Sequence, residues 1–201
     1  MKEELILEII GLEWEMFTSV NNPGGKAPCQ EDYATFEIMR GSQAETWNDE
    51  LLQSYRRDLL QAKSERRNLM AEKYARMMET TDPSAYQKLA DRLPEIDGQT
   101  QELIEKIIAI NLEWKSATVA KYPNLAKRGR QIYTREDTRL STSFETYLRG
   151  ELRTYSPETV QRYYQMTLEH WNRRENLEEL SLLNTVKKYG YPTLDEAETH
   201  A

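Results

Sequence analysis

Phe36-Glu37-Ile38-Met39-Arg40-Gly41 and Phe144-Glu145-Thr146-Tyr147-Leu148-Arg149-Gly150 each open a run that continues in the same way. Thr46, Glu50, Gln53, Tyr55, Leu60, Arg66, Asn68 and Leu69 follow the first; Thr154, Glu158, Gln161, Tyr163, Leu168, Arg174, Asn176 and Leu177 follow the second. With one small insertion and one compensating deletion near the Arg-Gly, this makes about twelve identities in about 34 columns, where chance gives roughly two or three. An internal repeat is the reading. Upstream, Leu12-Glu13-Trp14 returns as Leu112-Glu113-Trp114. The repeat units span about 3–80 and 100–188, with a connector at 81–99 and a tail at 193–201 that reads as flexible. We expect one helical domain over 1–201, in which two duplicated units related by a pseudo-two-fold axis share a single core.

Helical spacing carries the fold class. Leu5, Ile6, Ile9, Ile10, Leu12 and Phe17 follow it, so residues 3–20 read as a helix that Asn21-Asn22-Pro23-Gly24-Gly25 stops. A second helix runs from about 31 to 44. A third starts after the cap Asn48 and meets no breaker until about Met78, as one helix or with a kink or split. Residues 84–92 read as a short helix. In the second unit, helices are expected over about 100–120, from Phe144 to near Arg153, and from the Ser156-Pro157-Glu158 start signal through Asn176 to Lys188. No segment shows period-two alternation bounded by hairpin turns, so the chain is all-α, a helical bundle.

Composition agrees with a soluble helical protein: charged residues are abundant, Gly and Pro are few, and twelve Tyr, four Trp and three Phe supply much of the core. A net charge of -7 argues against nucleic acid as a partner, since counterion release needs a basic face. No stretch approaches the roughly 20 apolar residues of a membrane span. Met1-Lys2-Glu3-Glu4 does not read as a signal peptide, and the single Cys29 forms no intramolecular disulfide, so a cytoplasmic setting is expected.

The strings Asn22-Pro23-Gly24-Gly25-Lys26-Ala27-Pro28-Cys29-Gln30-Glu31-Asp32, Thr35-Phe36-Glu37-Ile38-Met39-Arg40, Lys73-Tyr74-Ala75-Arg76-Met77-Met78 and Thr146-Tyr147-Leu148-Arg149-Gly150-Glu151-Leu152 resemble the bacterial family catalogued as domain of unknown function 4125. The resemblance covers nearly the whole chain. It carries over no catalytic or cofactor residue, so site candidates rest on the residues themselves.

Glu37 and Arg40 are three apart and Glu145 and Arg149 four apart, spacings that allow an ion pair within each helix. Two such pairs meeting at a pseudo-two-fold axis would make a polar pocket; alternatively they form a structural network that sets how the halves fit. Trp14 and Trp114 are expected as buried anchors. A dinuclear metal reading of the glutamates fails, because His170 and His200 are the only histidines and neither has a Glu three residues before it. No metal site is assigned, with a carboxylate-only Mg²⁺ site left open.

The loop Gly24–Gln30 joins two glycines, the cation Lys26 and the thiol Cys29, with Gln30 beside them. Cys29 is the one candidate nucleophile, placed near the start of a helix, but no base accompanies it in sequence. The counterpart segment Lys121–Arg139 is basic, with Lys127, Arg128, Arg130 and Arg135, and is the next candidate for an anion or an acidic partner surface. The expected ligand-binding set is Lys26, Cys29, Gln30, Glu37, Arg40, Glu145 and Arg149, lining a cleft between the units and taking a small anionic molecule by binding or by enzymatic chemistry. The alternative is a non-catalytic module that docks a partner protein. No cofactor, reaction or membrane role is readable.

Overall fold

Ile6, Ile9, Ile10, Glu13, Met16 and Phe17 form the buried stripe of the first helix, at spacings of three and four that keep one face inward. This helix, α1, spans Lys2–Thr18 in the computed structural model, which describes residues 2–21, 25–127 and 129–201. Asn22, Pro23 and Gly24 of the breaker cluster, and Arg128 of the basic segment, lie outside the described residues. The other helices are α2 (Tyr33–Ala44), α3 (Asp49–Ser64), α4 (Leu69–Thr81), α5 (Pro83–Tyr86), α6 (Gly98–Lys121), α7 (Pro123–Ala126), α8 (Phe144–Leu152), α9 (Pro157–Asn172), α10 (Leu177–Lys188) and α11 (Leu194–Thr199). The chain is all-α, with no strand among the described residues. None of these helices is long and apolar enough to cross a membrane.

Two helix breaks occur where the sequence carries no glycine or proline. Arg66 and Arg174 adopt φ of 58° and 57°, the left-handed region that L residues seldom occupy. At each, the chain closes a Schellman turn: Arg67 N–H donates to the Ala62 carbonyl at 2.8 Å, and Glu175 N–H to the His170 carbonyl at 2.9 Å. Two residues past each arginine an asparagine caps the next helix. Asn68 accepts from Ala71 N–H at 2.9 Å, and Asn176 from Glu178 and Glu179 N–H at 2.9 and 3.1 Å. Both asparagines also reach back with their amide nitrogens, Asn68 to the Met16 carbonyl at 2.7 Å and Asn176 to the Trp114 carbonyl at 3.0 Å.

Those two anchors align α1 with α6 differently from the Leu-Glu-Trp repeat. Met16, not Trp14, stands where Trp114 stands, and Glu13 then corresponds to the buried Asn111, while Glu113 is exposed. Trp114 is buried as expected. Trp14 is only half-buried, because it lies off the core stripe and packs instead on Phe17, Tyr33 and Phe36.

Helix packing follows the same pattern in both segments. α1 lies on α3 and α6 on α9, while α3 and α9 cross at the centre. At that crossing the buried hydroxyls of Ser54 and Thr159 meet at 2.7 Å among Leu51, Leu52, Leu59 and Val160. The last helix of each segment crosses over: α4 packs on α8, and α10 packs on α2. One continuous apolar core results. A smaller one gathers Tyr122, Val186, Leu194 and Ala197. It belongs to the segment 193–201, which is not frayed: α11 buries Leu194 and Ala197, and the Glu198 carboxylate accepts from Asn124 and Leu125 N–H at 2.7 and 2.9 Å at the start of α7. Asp195, Glu196 and Glu198 interleave with those two apolar contacts in sequence and hide them.

Candidate functional site

Arg40 is the one member of the repeated Glu/Arg pairs that reaches the centre of the molecule. Its α2 position turns it away from Glu37 and toward α1, where its Nη2 and Nε (2.8 Å) grip both oxygens of Glu13. Its Nη1 donates to Gln43 at 2.8 Å and to Glu151 of α8 at 3.2 Å. Lys73 of α4 closes the set with an ion pair to Glu151. Tyr55 donates to Glu13 at 2.7 Å and Tyr155 to Glu151 at 2.9 Å. Glu13 and Lys73 are each 1 % exposed and Glu151 3 %. Two carboxylates thus face two cations with hydroxyls supplying the remaining bonds, which is what burial of charge demands.

This environment fixes protonation states. Burial pushes the Glu151 carboxyl up, but Arg40 and Lys73 override it and hold it at about 2. Burial likewise opposes charge on Arg40, and Glu13 with Glu151 keeps it well above its ordinary value. Burial first, then the neighbouring carboxylates, raise the phenols of Tyr55 and Tyr155, so both remain donors. The geometry is that of a closed, satisfied network: it holds α1, α2, α4 and α8 together.

The expected pocket of paired Glu and Arg side chains does not form. Glu37 is half-buried with no hydrogen bond or ion pair among the described residues, because Arg40 is taken by Glu13 and Glu151. Glu145 and Arg149 do pair, at 2.9 Å, but Arg149 also bonds Glu105 at the periphery, and this pair does not meet Arg40. The described part of the Gly24–Gln30 loop, 25–30, is anchored by its glutamine: buried Gln30 donates to the Phe17 and Val20 carbonyls at 2.7 and 3.0 Å and accepts from Ala27 N–H at 2.9 Å. Lys26 and Cys29 are exposed. Cys29 sits in a 3₁₀ turn, Pro28–Gln30, outside α2, whose cap is Asp32 accepting from Thr35 N–H at 3.0 Å, so the helix does not start at the thiol.

Burial, then Tyr147, raise the Tyr74 phenol, on which Cys29 of the loop and Arg130 of the basic segment both act electrostatically. Tyr147 carries Lys73 over its ring at 3.4 Å and Arg130 at 4.5 Å. The basic segment's other cations among the described residues are engaged within the protein: Lys121 on Glu179 at 2.6 Å, Lys127 on Asn124 at 2.8 Å, Arg135 over Tyr133, and Arg139 on Asp82 at 3.0 Å.

A cleft of about 220 Å³ opens elsewhere, between the end of α3, the connector at Pro94–Asp97 and the turn from α8 to α9. Asp58, Arg67, Leu69, Glu95, Ile96 and Arg153 are among its lining residues. Burial pushes the Asp58 carboxyl up, against hydrogen bonds from Thr159 and Ser156. Arg67 is gripped by Glu72 at 2.8 Å, and Arg153 by Glu79 at 2.5 Å and Gln101 at 3.2 Å. Behind the connector wall lies Arg76 of α4, 7 % exposed. Its Nη2 donates to the Pro94 carbonyl at 2.7 Å, its Nε is buried without a partner, and it makes no ion pair among the described residues. Burial, with Arg153 and Arg67 nearby, holds its guanidinium below the ordinary value, against Tyr86 and Glu72. In sequence Lys73 and Arg76 appear only within the string that resembles the family; that Arg76 makes no ion pair shows only in three dimensions.

Among the described residues no three His, Cys, Asp or Glu side chains converge as metal ligands. No curated protein and no solved structure matches the chain. One family model does, the one described as "Protein of unknown function (DUF4125)", and as the match runs over residues 3–199 the chain belongs to that family.

Proposed function

We propose that this protein binds a small anionic molecule in the cleft between its two helical segments. One observation carries the reading: Arg76 is a buried guanidinium that makes no ion pair among the described residues, with Glu72 acting on it only at a distance, and Arg67 and Arg153, close enough to disfavour its charge, stand in the cleft wall. A buried unpaired charge is costly, and an anion in the cleft would offset that cost. Clefts between helical units are common ligand positions. On this reading the ligand lies away from Lys26 and Cys29, and of the repeated residues only Leu69 and Thr154 line its site. The same reading takes the two segments as a duplicated unit, which the twin Schellman turns and the twin asparagine anchors support.

The test is a thermal-shift series with inorganic and organic anions on the parent and on Arg76→Gln. A ligand that binds only the folded state raises the melting temperature. Arg76→Gln is expected to leave the ligand-free melting temperature unchanged or higher, since it removes an uncompensated charge, and to abolish the rise. A rise that survives in Arg76→Gln would put the anion elsewhere.

A second reading, a non-catalytic interaction module, is favoured by Arg40, which is packed solid between Glu13 and Glu151 instead of lining a pocket. It predicts no anion-dependent rise at all.

A further inference from the structure

The cleft is not uniformly basic. Glu95 stands in its wall, exposed and with no hydrogen bond or ion pair among the described residues. Asp58 stands in the same wall, half-buried, bound to Ser156 N–H at 2.9 Å. A simple anion would be drawn to the arginines and repelled by these carboxylates. A molecule with charges of both signs satisfies the two sets together.

Size narrows the choice. An apolar cavity of about 150 Å³ holds benzene, so 220 Å³ holds about nine non-hydrogen atoms. Inorganic phosphate would fill roughly half of that. A nucleotide would greatly exceed it. Leu69 and Ile96 add apolar wall for a short side chain.

Resting on the reading of the cleft as an anion site, we propose that its ligand is a zwitterion of α-amino-acid size, its carboxylate taken by Arg153 and Arg67 in the cleft wall with the charge of Arg76 behind them, and its ammonium by Glu95 and Asp58. Arg153 has a donor to give: among the described residues it uses Nε and Nη1 and keeps Nη2, while Arg67 already bonds Glu72 and Glu65 through its three nitrogens and offers chiefly its charge. Burial raises the Asp58 carboxyl, and an ammonium beside it would favour its charged form.

The experiment is a thermal-shift screen of the full chain against the common α-amino acids. Each hit is followed by titration calorimetry with its N-acetyl derivative, which keeps the carboxylate, and its decarboxylated amine, which keeps the ammonium. At least one amino acid is expected to bind, with both derivatives weaker by about tenfold or more, the loss of one charge-assisted contact. Glu95→Gln, at an exposed residue whose change leaves folding intact, is expected to weaken the amino acid by a similar factor and the N-acetyl acid little. An N-acetyl acid that binds as tightly as its parent overturns the zwitterion and leaves the anion site standing. No shift with amino acids, N-acetyl acids, phosphate or sulfate overturns both.

Discussion

Lys73 and Glu151 form an ion pair with side chains only 2 % and 4 % exposed, across a sequence separation of 78 residues. Removing one partner of such a pair leaves a buried charge with reduced compensation, at a typical cost of about 3–5 kcal/mol. Lys73→Met and Glu151→Gln should each lower the unfolding free energy by about that much in urea. The double variant Lys73→Met/Glu151→Gln should lose less than the sum, and strict additivity would show that the two groups are not coupled.

The same carboxylate sets an acid limit on stability. Its folded-state value of about 2 lies below the ordinary 4.5, so it contributes fully above pH 4.5 and the contribution is lost as pH falls through 2. Its size is on the order of 3 kcal/mol. Unfolding free energy measured from pH 5 to pH 2 should fall in the parent and fall less steeply in Glu151→Gln. Asp58 has the opposite sign. Its raised value means a contribution present below the unfolded-state value and lost as pH rises through the folded one, so Asp58→Asn should steepen the acid loss.

Gly41 and Gly150 look alike in sequence and differ in space. A Cβ on Gly150 would stand 2.9 Å from Met77 Cγ and 3.1 Å from the Lys73 carbonyl oxygen, with the backbone of α4 unable to withdraw. On Gly41 it would meet only the ends of Ile10 and Lys188, at 3.5 and 3.6 Å. Gly150→Ala should destabilise by about 1–3 kcal/mol. Gly41→Ala should be neutral or stabilise by up to about 1 kcal/mol, the helix-propensity gain. Equal effects in thermal unfolding would contradict the close α4–α8 approach.

Trp114→Ala should cost about 3–5 kcal/mol as a core truncation. Trp14, half-buried at the edge, should cost clearly less. Chemical denaturation of both variants checks the order.

Much of the fold was legible because caps and periodicity are local. Asn48 and Ser156 mark their helices in sequence and cap them in the structure, accepting from Leu51 and Thr159 N–H at 2.9 and 3.3 Å. A split or bend in these long helices was open from sequence, but the positions of the breaks after α3 and α9 were not legible, because arginine occupies a left-handed position that usually goes to glycine. Their remaining signal was the repeated asparagine two residues on. Arg40 was legible as a special residue by repetition. Its partners Glu13 and Glu151 were not, since tertiary packing alone brings α1 and α8 to it. The cleft lay hidden for the same reason: its residues come from three distant segments, and what singles out Arg76 is a missing neighbour.

The crossing of α4 onto α8 and of α10 onto α2 has a consequence for fragments of the chain. Cleaved in the connector, the first fragment keeps Glu13, Arg40 and Lys73, one carboxylate against two cations, and the second keeps Glu151. Two copies of the first would bring four cations to two carboxylates, and two copies of the second would bring carboxylates alone. The severed pieces are therefore expected to associate with each other in preference to themselves, as complementary partners.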